Sequence, residues 1–257
     1  VTAAATAIPA MGAGQPADTL IPVPSGFVRL ADLLTGDSVF SADGGTVDVL
    51  EVGDLGWRET VAVTFDDGAT ARVVHEHPWL ARDAATGTDA VYRTADIAPH
   101  LHLGDGAPRW SVPLAHSVGF RGIALPIDPY TFGDEIRQGF TTAESELLPY
   151  LTAEDGDRRE VLNGLFAGKG HMPASAGDLA CASAASLMRS TGAVPVFEKA
   201  GFGWRMTRRA GVRRSVLSVT DAGPAQCLSL LLTDRAAMYV TGADFVLTCA
   251  LRPEGAA

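Results

Sequence analysis

Hydrophobic and polar positions alternate in short runs over the first third of the chain. From Asp18 to about Glu76 the runs TLIPV, SVFS, TVDVLEV, ETVAVTF and TARVV are β-prone, and PSG, ADGG and DDG separate them as turn signals. That text predicts a string of hairpins. A similar text returns near the other end, where RRSVLSV, CLSLLL, MYVTG and DFVLTCAL predict four more short strands. Between Pro126 and about Arg209 the period changes: REVLNGLF and LACASAASLMRS carry apolar residues at helical spacing, followed by strand-like VPVFE and WRMT. Two organisations fit this pattern, an α/β segment inserted into a β domain or a single α+β domain without insertion. The opening VTAAATAIPAMGAGQPA, rich in Ala, Gly and Pro, reads as a flexible lead or borrowed flank, with regular structure expected from near Asp18.

Composition narrows the function. A chain of 257 residues with 47% hydrophobic content suffices for one large or two moderate domains. Its net charge of −10 argues against a surface built to neutralise phosphates, so nucleic acid is not an expected partner. No apolar run approaches the roughly 20 residues of a membrane helix, and the start carries no secretory pattern; a soluble, intracellular protein is expected. The three cysteines, Cys181, Cys227 and Cys249, are spaced for neither a disulfide framework nor a four-ligand zinc site. No metal or cofactor is expected, and a reactive thiol is compatible with the pattern.

The candidate chemistry starts at VVHEHPWL, residues 73–80. Two histidines two apart on a strand face the same side, and Pro78 is expected to end that strand, so His75 and His77 are predicted to share a site. A metal there would lack further ligands nearby. Taken alone, the segment is better read as a hydrogen-bonded histidine at a strand end. Cys227, opening an apolar strand, reads alone as an inert core residue. The order of these segments along the chain changes that reading.

DTLIPVPSGFVRLADLLTGDSVFSADG, which opens on Asp18 and Thr19, resembles the first conserved block of inteins, with the block's first position at Gly14. GATARVVHEHPWLAR resembles the second block and places the family's catalytic histidine at His77, with Trp79 two residues on. CLSLLLTDRAAMYVTGADFVLT resembles the last two blocks and supplies Cys227 and Thr248. The set Trp79, Cys227 and Thr248, with glycine where ordinary inteins carry Cys or Ser, is similar to the class that works without an N-terminal nucleophile. The resemblance runs from about Gly14 to Ala250. It implies a mainly β, horseshoe-shaped Hint splicing domain in two parts, 14–125 and 210–250, carrying an inserted α/β subdomain at 126–209, between host flanks 1–13 and 251–257.

The middle segment adds its own resemblance. LNGLFAGKG, Leu162 to Gly170, is similar to the LAGLIDADG helix of homing endonucleases, and YTFGDEIRQG, Tyr130 to Gly139, resembles the first copy of that motif. Such enzymes need an acidic residue near the end of each motif to hold a divalent metal. Gln138 and Lys169 stand at those positions, and a charged lysine cannot ligate a hard cation, so the insert is expected to be folded but dead as a nuclease. By itself LNGLFAGKG is also an ordinary amphipathic helix ended by glycine.

The resemblance implies that the Cys227 thiolate attacks the carbonyl of Ala13 at the Ala13–Gly14 bond and forms a thioester. His77 would protonate the departing amine. Trp79 would fix the geometry by packing, and Thr248 would hydrogen-bond near the thiol or scissile carbonyl. Asp18 and His75 are secondary candidates. The sequence departs from the family at Val74, where threonine is common, and at Cys249, Ala250 and Leu251, where histidine, asparagine and a nucleophilic acceptor are usual. Without the asparagine no cyclisation follows, and at most the N-terminal junction breaks, releasing a peptide that ends at Ala13. A shifted register would make Cys249 the acceptor at the cost of the Thr248 and Ala250 matches. The partners implied are the chain's own flanking segments, in a monomer in the cytoplasm of a bacterium or phage-infected cell. Two other readings compete: an inert module that keeps the fold, and a DNA-binding remnant resting on TRRAGVRR, Thr207 to Arg214.

Overall fold

A computed structural model describes residues 12–138, 144–167, 178–200, 203–209, 213–234 and 236–251, and the protein is mainly β. In chain order the first elements are β1 (Gln15–Pro16), β2 (Leu20–Val23), β3 (Gly26–Arg29), β4 (Ser38–Phe40), β5 (Thr46–Phe65) and β6 (Thr70–Val74). Then come β7 (Pro78–Asp83), β8 (Thr88–Arg93), the short helix α1 (Thr94–Ile97) and β9 (Trp110–Pro113). Four helices follow, α2 (Pro129–Gln138), α3 (Glu144–Leu151), α4 (Asp155–Leu165) and α5 (Asp178–Ser190). The remaining strands are β10 (Val194–Ala200), β11 (Gly203–Arg209), β12 (Arg213–Leu232), β13 (Met238–Thr241) and β14 (Val246–Cys249). The described residues divide into two compact units, one drawn from 12–23, 27–115 and 213–251, the other from 24–26 and 116–209.

The first unit is built on an eight-stranded sheet whose path runs β4-β5-β12-β9-β7-β8, with β1 also paired to β12 and β6 to β5. β5 and β12 are each 20 residues long and pair antiparallel from Val216 opposite Phe65 to Leu232 opposite Val49. The four separate strands expected from TVDVLEV, ETVAVTF, RRSVLSV and CLSLLL are therefore two. Gly53, Gly56, Gly223 and Pro224 read as breaks between strands, yet the ladder runs through them: Gly53 and Gly56 lie opposite Ser229 and Cys227, Gly223 and Pro224 opposite Thr60 and Glu59, and register shifts between Asp221 and Gly223 and between Cys227 and Leu228 absorb the irregular residues. Chain order is regular earlier than expected as well, since β1 precedes Asp18.

Alternating burial along these strands fills two clusters. One gathers Val61, Val63, Phe65, Val73, Trp79, Trp110 and Val216. The other gathers Ile21, Leu30, Val39, Val49, Leu230, Leu232 and Tyr239. Each buried Val or Leu contributes roughly 1.5–3 kcal/mol relative to exposure, so these clusters dominate what holds the ladder in register. The β13–β14 hairpin places Tyr239 opposite Thr248 and Met238 opposite Cys249.

In the second unit, α2 and α4 approach closely enough that only glycine fits at the crossing. A Cβ on Gly133 would lie 2.0 Å from the Val161 carbonyl oxygen, and one on Gly164 would lie 2.1 Å from that of Tyr130. Phe132 stacks on Tyr150 with ring centroids 3.7 Å apart. Arg158, fully buried, donates to the carbonyls of Ser190 (2.7 Å) and Val118, and burial lowers its pKa to about 10 against the opposing pull of Asp155. Gln138 ends α2 exposed, its amide donating to the Asp134 carboxylate. Lys169 and Gly170 lie outside the described residues. Among the described residues no helix is long and apolar enough to cross a membrane, and no cluster of His, Cys, Asp or Glu could hold a metal ion.

Candidate functional site

The site is organised by β12. Its Cys227 and Leu228 pair with Pro16 and Gln15 of β1, and Ala17 N–H donates to Gln226 O at 2.8 Å. Three residues further along β12, Leu231 forms a parallel bridge with Leu251, whose N–H donates to Leu230 O at 2.8 Å. Residues 15 and 251, more than two hundred positions apart in sequence, therefore pair with one short stretch of a single strand, and Cys227 lies in that stretch.

A bulge shapes the other side of Cys227. Cys227 pairs with Gly56 and Leu228 with Asp54, which leaves Leu55 without a cross-strand partner. Gly56 has φ +70°, a left-handed conformation that glycine adopts without steric cost. The bulge directs Leu55 toward Gly14: a Cβ there would lie 2.5 Å from Leu55 Cδ1 and 3.2 and 3.3 Å from the two Val74 methyls. A side chain at position 14 would therefore require the end of Leu55 to turn aside and the Val74 methyls to give by a few tenths of an ångström. Gly14 is also pinned through its backbone, since its carbonyl accepts from Val74 N–H at 3.0 Å. Ala13 is buried, and at Gly12 a Cβ would lie 2.7 Å from the Glu76 carbonyl oxygen.

The two histidines do not share a site. β6 ends at Val74, His75 and Glu76 form a turn, and β7 begins at Pro78. Proline starts a strand here, where its missing N–H is no loss, in place of ending one. The strand alternation that would align the two side chains is therefore absent: His75 is exposed, whereas His77 is 0% exposed. His77 Nε2 is hydrogen-bonded to Thr248 Oγ1. Its ring packs edge-on against Trp79, with centroids 5.0 Å apart. Trp79 is in turn fixed by its own N–H, which donates to Thr94 Oγ1 at 2.8 Å, while the Thr94 hydroxyl and N–H both donate to the His77 carbonyl, at 3.1 and 2.9 Å. Sequence reasoning missed Thr94, for which a threonine opening a helix gives no signal.

Electrostatics set the resting protonation. Burial lowers the His77 pKa from 6.5 to about 3, with the nearby Gly14 backbone pulling it the other way, and the buried Nδ1 has no hydrogen-bond partner among the described residues. The imidazole is neutral at physiological pH and in touch with the backbone of Gly14. The Cys227 thiol, 0% exposed, is pushed up from its ordinary 9.0 by burial; Arg72 and Arg58 lower it, and Asp18 adds to the rise. The thiol donates to Ala225 O at 3.4 Å. Asp18 is exposed and acts on the thiol through charge. Cys249 is buried among Ala237, Leu80, Val91 and Met238, and Ala250 is buried beside Tyr239. Ala250 N–H donates to Ala237 O at 2.7 Å.

A cleft of about 380 Å³ opens beside this arrangement, lined in part by Gly12, Leu55, Val74, His75, Ser229 and Leu251. The structure thus places His77, Trp79 and Thr248 in one connected cluster that touches Gly14, and Cys227 on the rung next to β1. His75 joins the cleft wall, and Gln138 belongs to the other unit.

Comparisons with known proteins add the following. No family model matches the chain. The replicative DNA helicase DnaB of Mycobacterium intracellulare is 30% identical over 177 residues, 57% of this chain, and the match spans 30% of that protein's length. Among solved structures, an Ssp DnaB mini-intein variant, M86, aligns with 95% of this chain and 98% of its own at 10% identity and a TM-score of 0.47. The MchDnaB-1 intein aligns with 91% of this chain and 98% of its own at 12% identity and a TM-score of 0.42. The gp41-1 intein aligns with 93% and 98% at 12% identity, also at 0.42.

Proposed function

We propose that this chain is an intein of the class that lacks an N-terminal nucleophile, and that Cys227 attacks the Ala13–Gly14 peptide bond. The observation that carries the reading is the convergence on β12: residues 15 and 16 and residue 251 pair with the strand that carries the thiol. No more than three residues of chain, about 10 Å fully extended, separate Ala13 from the residue opposite Cys227. Attachment within a DnaB-like host agrees with the DnaB relative.

In this reading the Cys227 sulfur bonds to the Ala13 carbonyl carbon and the carbon–nitrogen bond to Gly14 breaks. The thiol proton ends on the Gly14 nitrogen. His77 is neutral, so it does not arrive with a proton to give; it accepts one and passes it on, next to the Gly14 backbone. Thr248 and Trp79 hold the ring for that transfer. Ala250 stands in place of a cyclising asparagine, and the chain's single asparagine, Asn163, lies in α4 of the other unit. Full splicing therefore stops, and cleavage at the N-terminal junction is the reaction left. Crowding of position 14 by Leu55 and Val74 fits a chemistry that uses no side chain there.

The second unit is read as a degenerate LAGLIDADG insert. In support, Gly133 and Gly164, which lie in the two motif-like segments, are where α2 and α4 meet backbone to backbone. Gln138 and Lys169 stand where the metal-binding acids would be.

Intact mass measured before and after incubation with a small thiol tests the central claim. Loss of residues 1–13, abolished by Cys227→Ala, is the expected result; an unchanged mass at every pH and thiol concentration would sink it in favour of an inert module.

A further inference from the structure

The strand that carries the junction, β1, is only two residues long, and so short a strand has little hold of its own. Its backbone is tied at Ala17 to Gln226 and at Gly14 to Val74. Between them stands Gln15, a polar residue 1% exposed. Its Oε1 accepts from the Tyr239 hydroxyl at 2.7 Å and the Thr241 hydroxyl at 3.1 Å, both from β13. Tyr239 and Thr241 are themselves buried. Gln15 Nε2 is buried without a hydrogen-bond partner.

A buried amide donor with no acceptor is a net cost to folding. A position that needed only to be filled would be served better by an apolar side chain, with valine and phenylalanine in place of the threonine and tyrosine. What the polar trio does instead is directional. It locks the residue next to Gly14 onto β13, and β13 pairs with the strand that carries Thr248, the partner of His77. The same contacts thus connect both members of the reacting arrangement, the scissile segment and the strand that orients the imidazole.

We propose that Gln15 is a positioning residue for the junction reaction: its acceptor oxygen, gripped by Tyr239 and Thr241, sets the placement of the Ala13–Gly14 bond against Cys227 and His77. This rests on the reading of the chain as a self-cleaving intein. A misplacement of about 1 Å at a reacting bond can cost about 100-fold in rate.

The test compares Gln15→Met with Gln15→Glu in the full chain, following release of residues 1–13 by mass in the presence of a small thiol. Methionine keeps the volume and removes the acceptor. Glutamate keeps an acceptor oxygen for both hydroxyls. Positioning by the acceptor gives a roughly 10–100-fold slower release for Gln15→Met and release within about threefold of wild type for Gln15→Glu. A packing role reverses the order, because methionine suits a buried site better than a carboxyl group. Tyr239→Phe, which removes one hydroxyl and keeps the ring, provides a check on variants that fold poorly: it slows release severalfold in the wild-type background and has no further effect on Gln15→Met. Gln15→Met releasing as fast as wild type, or faster than Gln15→Glu, overturns the role of Gln15 alone. Wild type staying whole overturns the cleavage reading itself, and the two failures are told apart by the wild-type lane.

Discussion

The buried His77 makes a definite statement about acid stability. Its folded pKa of about 3 lies below the ordinary 6.5 because burial disfavours the charged ring. A depressed folded value means that the unfolded chain takes up the proton first, so this contribution is fully present above pH 6.5 and is lost as pH falls toward 3. At pH 5 the difference in proton uptake is worth about 2 kcal/mol, against almost nothing at pH 7.5. Urea unfolding at the two pH values measures it. Fluorescence is to be read in a Trp204→Phe background, since Trp57, Trp79 and Trp110 lie in the first unit and residue 204 in the second. The expected result is that wild type loses about 2 kcal/mol more than His77→Asn between pH 7.5 and 5. Equal losses in the two proteins would show that the ring titrates normally and that the site is open to water, and the proton-relay role argued above would fall with it.

Three further outcomes follow from the packing. Gly14→Cys fails to restore an N-terminal nucleophile and costs about 1–3 kcal/mol, because the new Cβ meets Leu55; adding Leu55→Ala recovers most of the loss in melting temperature, and no recovery would contradict the contact. Gly164→Ala drives a methyl into the Tyr130 carbonyl and the Asp134 amide, lowering the stability of the second unit by about 3 kcal/mol while hydrogen exchange in the β5–β12 ladder stays unchanged. Of the three thiols, the partly exposed Cys181 reacts with a disulfide reagent in the native protein, while Cys227 and Cys249 react only after unfolding; fast labelling of Cys227 would show that the site is more open than described.

How much of this was legible in the sequence depended on the range of the interaction. The β character and the helices around REVLNGLF and LACASAASLMRS were reachable from periodicity; motif order singled out His77 and Thr248 but expected the threonine beside the thiol or the scissile carbonyl, whereas its hydroxyl meets the His77 ring. The fusion of four short runs into β5 and β12 was not. Gly56, Gly223 and Pro224 carry the local chemistry of turns, and only the opposing strand, more than 150 residues away, converts them into bulges within one ladder. His75 went astray for a similar reason, because the reading assumed a strand through Pro78 when the chain turns at His75 and Glu76. Leu55 and Gln15 had no signal at all. One is an ordinary leucine aimed by a bulge; the other is a glutamine whose partners, Tyr239 and Thr241, lie at the opposite end of the chain.

In the proposed reaction the resting protonation of the two groups works against attack. Burial holds the Cys227 proton on, since the thiol sits above its ordinary 9.0, and the same burial holds the His77 ring off protons down to about 3. Direct transfer from one to the other runs uphill, so the thiolate is scarce at neutral pH, and in the proposed reaction its abundance limits the attack. Raising the pH supplies it. The release of residues 1–13 therefore accelerates about tenfold per pH unit from 7 to 9, with no inflection near 6.5 from the buried imidazole. Mass-spectrometric time courses across that range, with Cys227→Ala as the blank, give the slope directly. A rate independent of pH over those two units would mean that attack does not wait for the thiolate, and another step, such as movement of β1 against β12, would then set the pace.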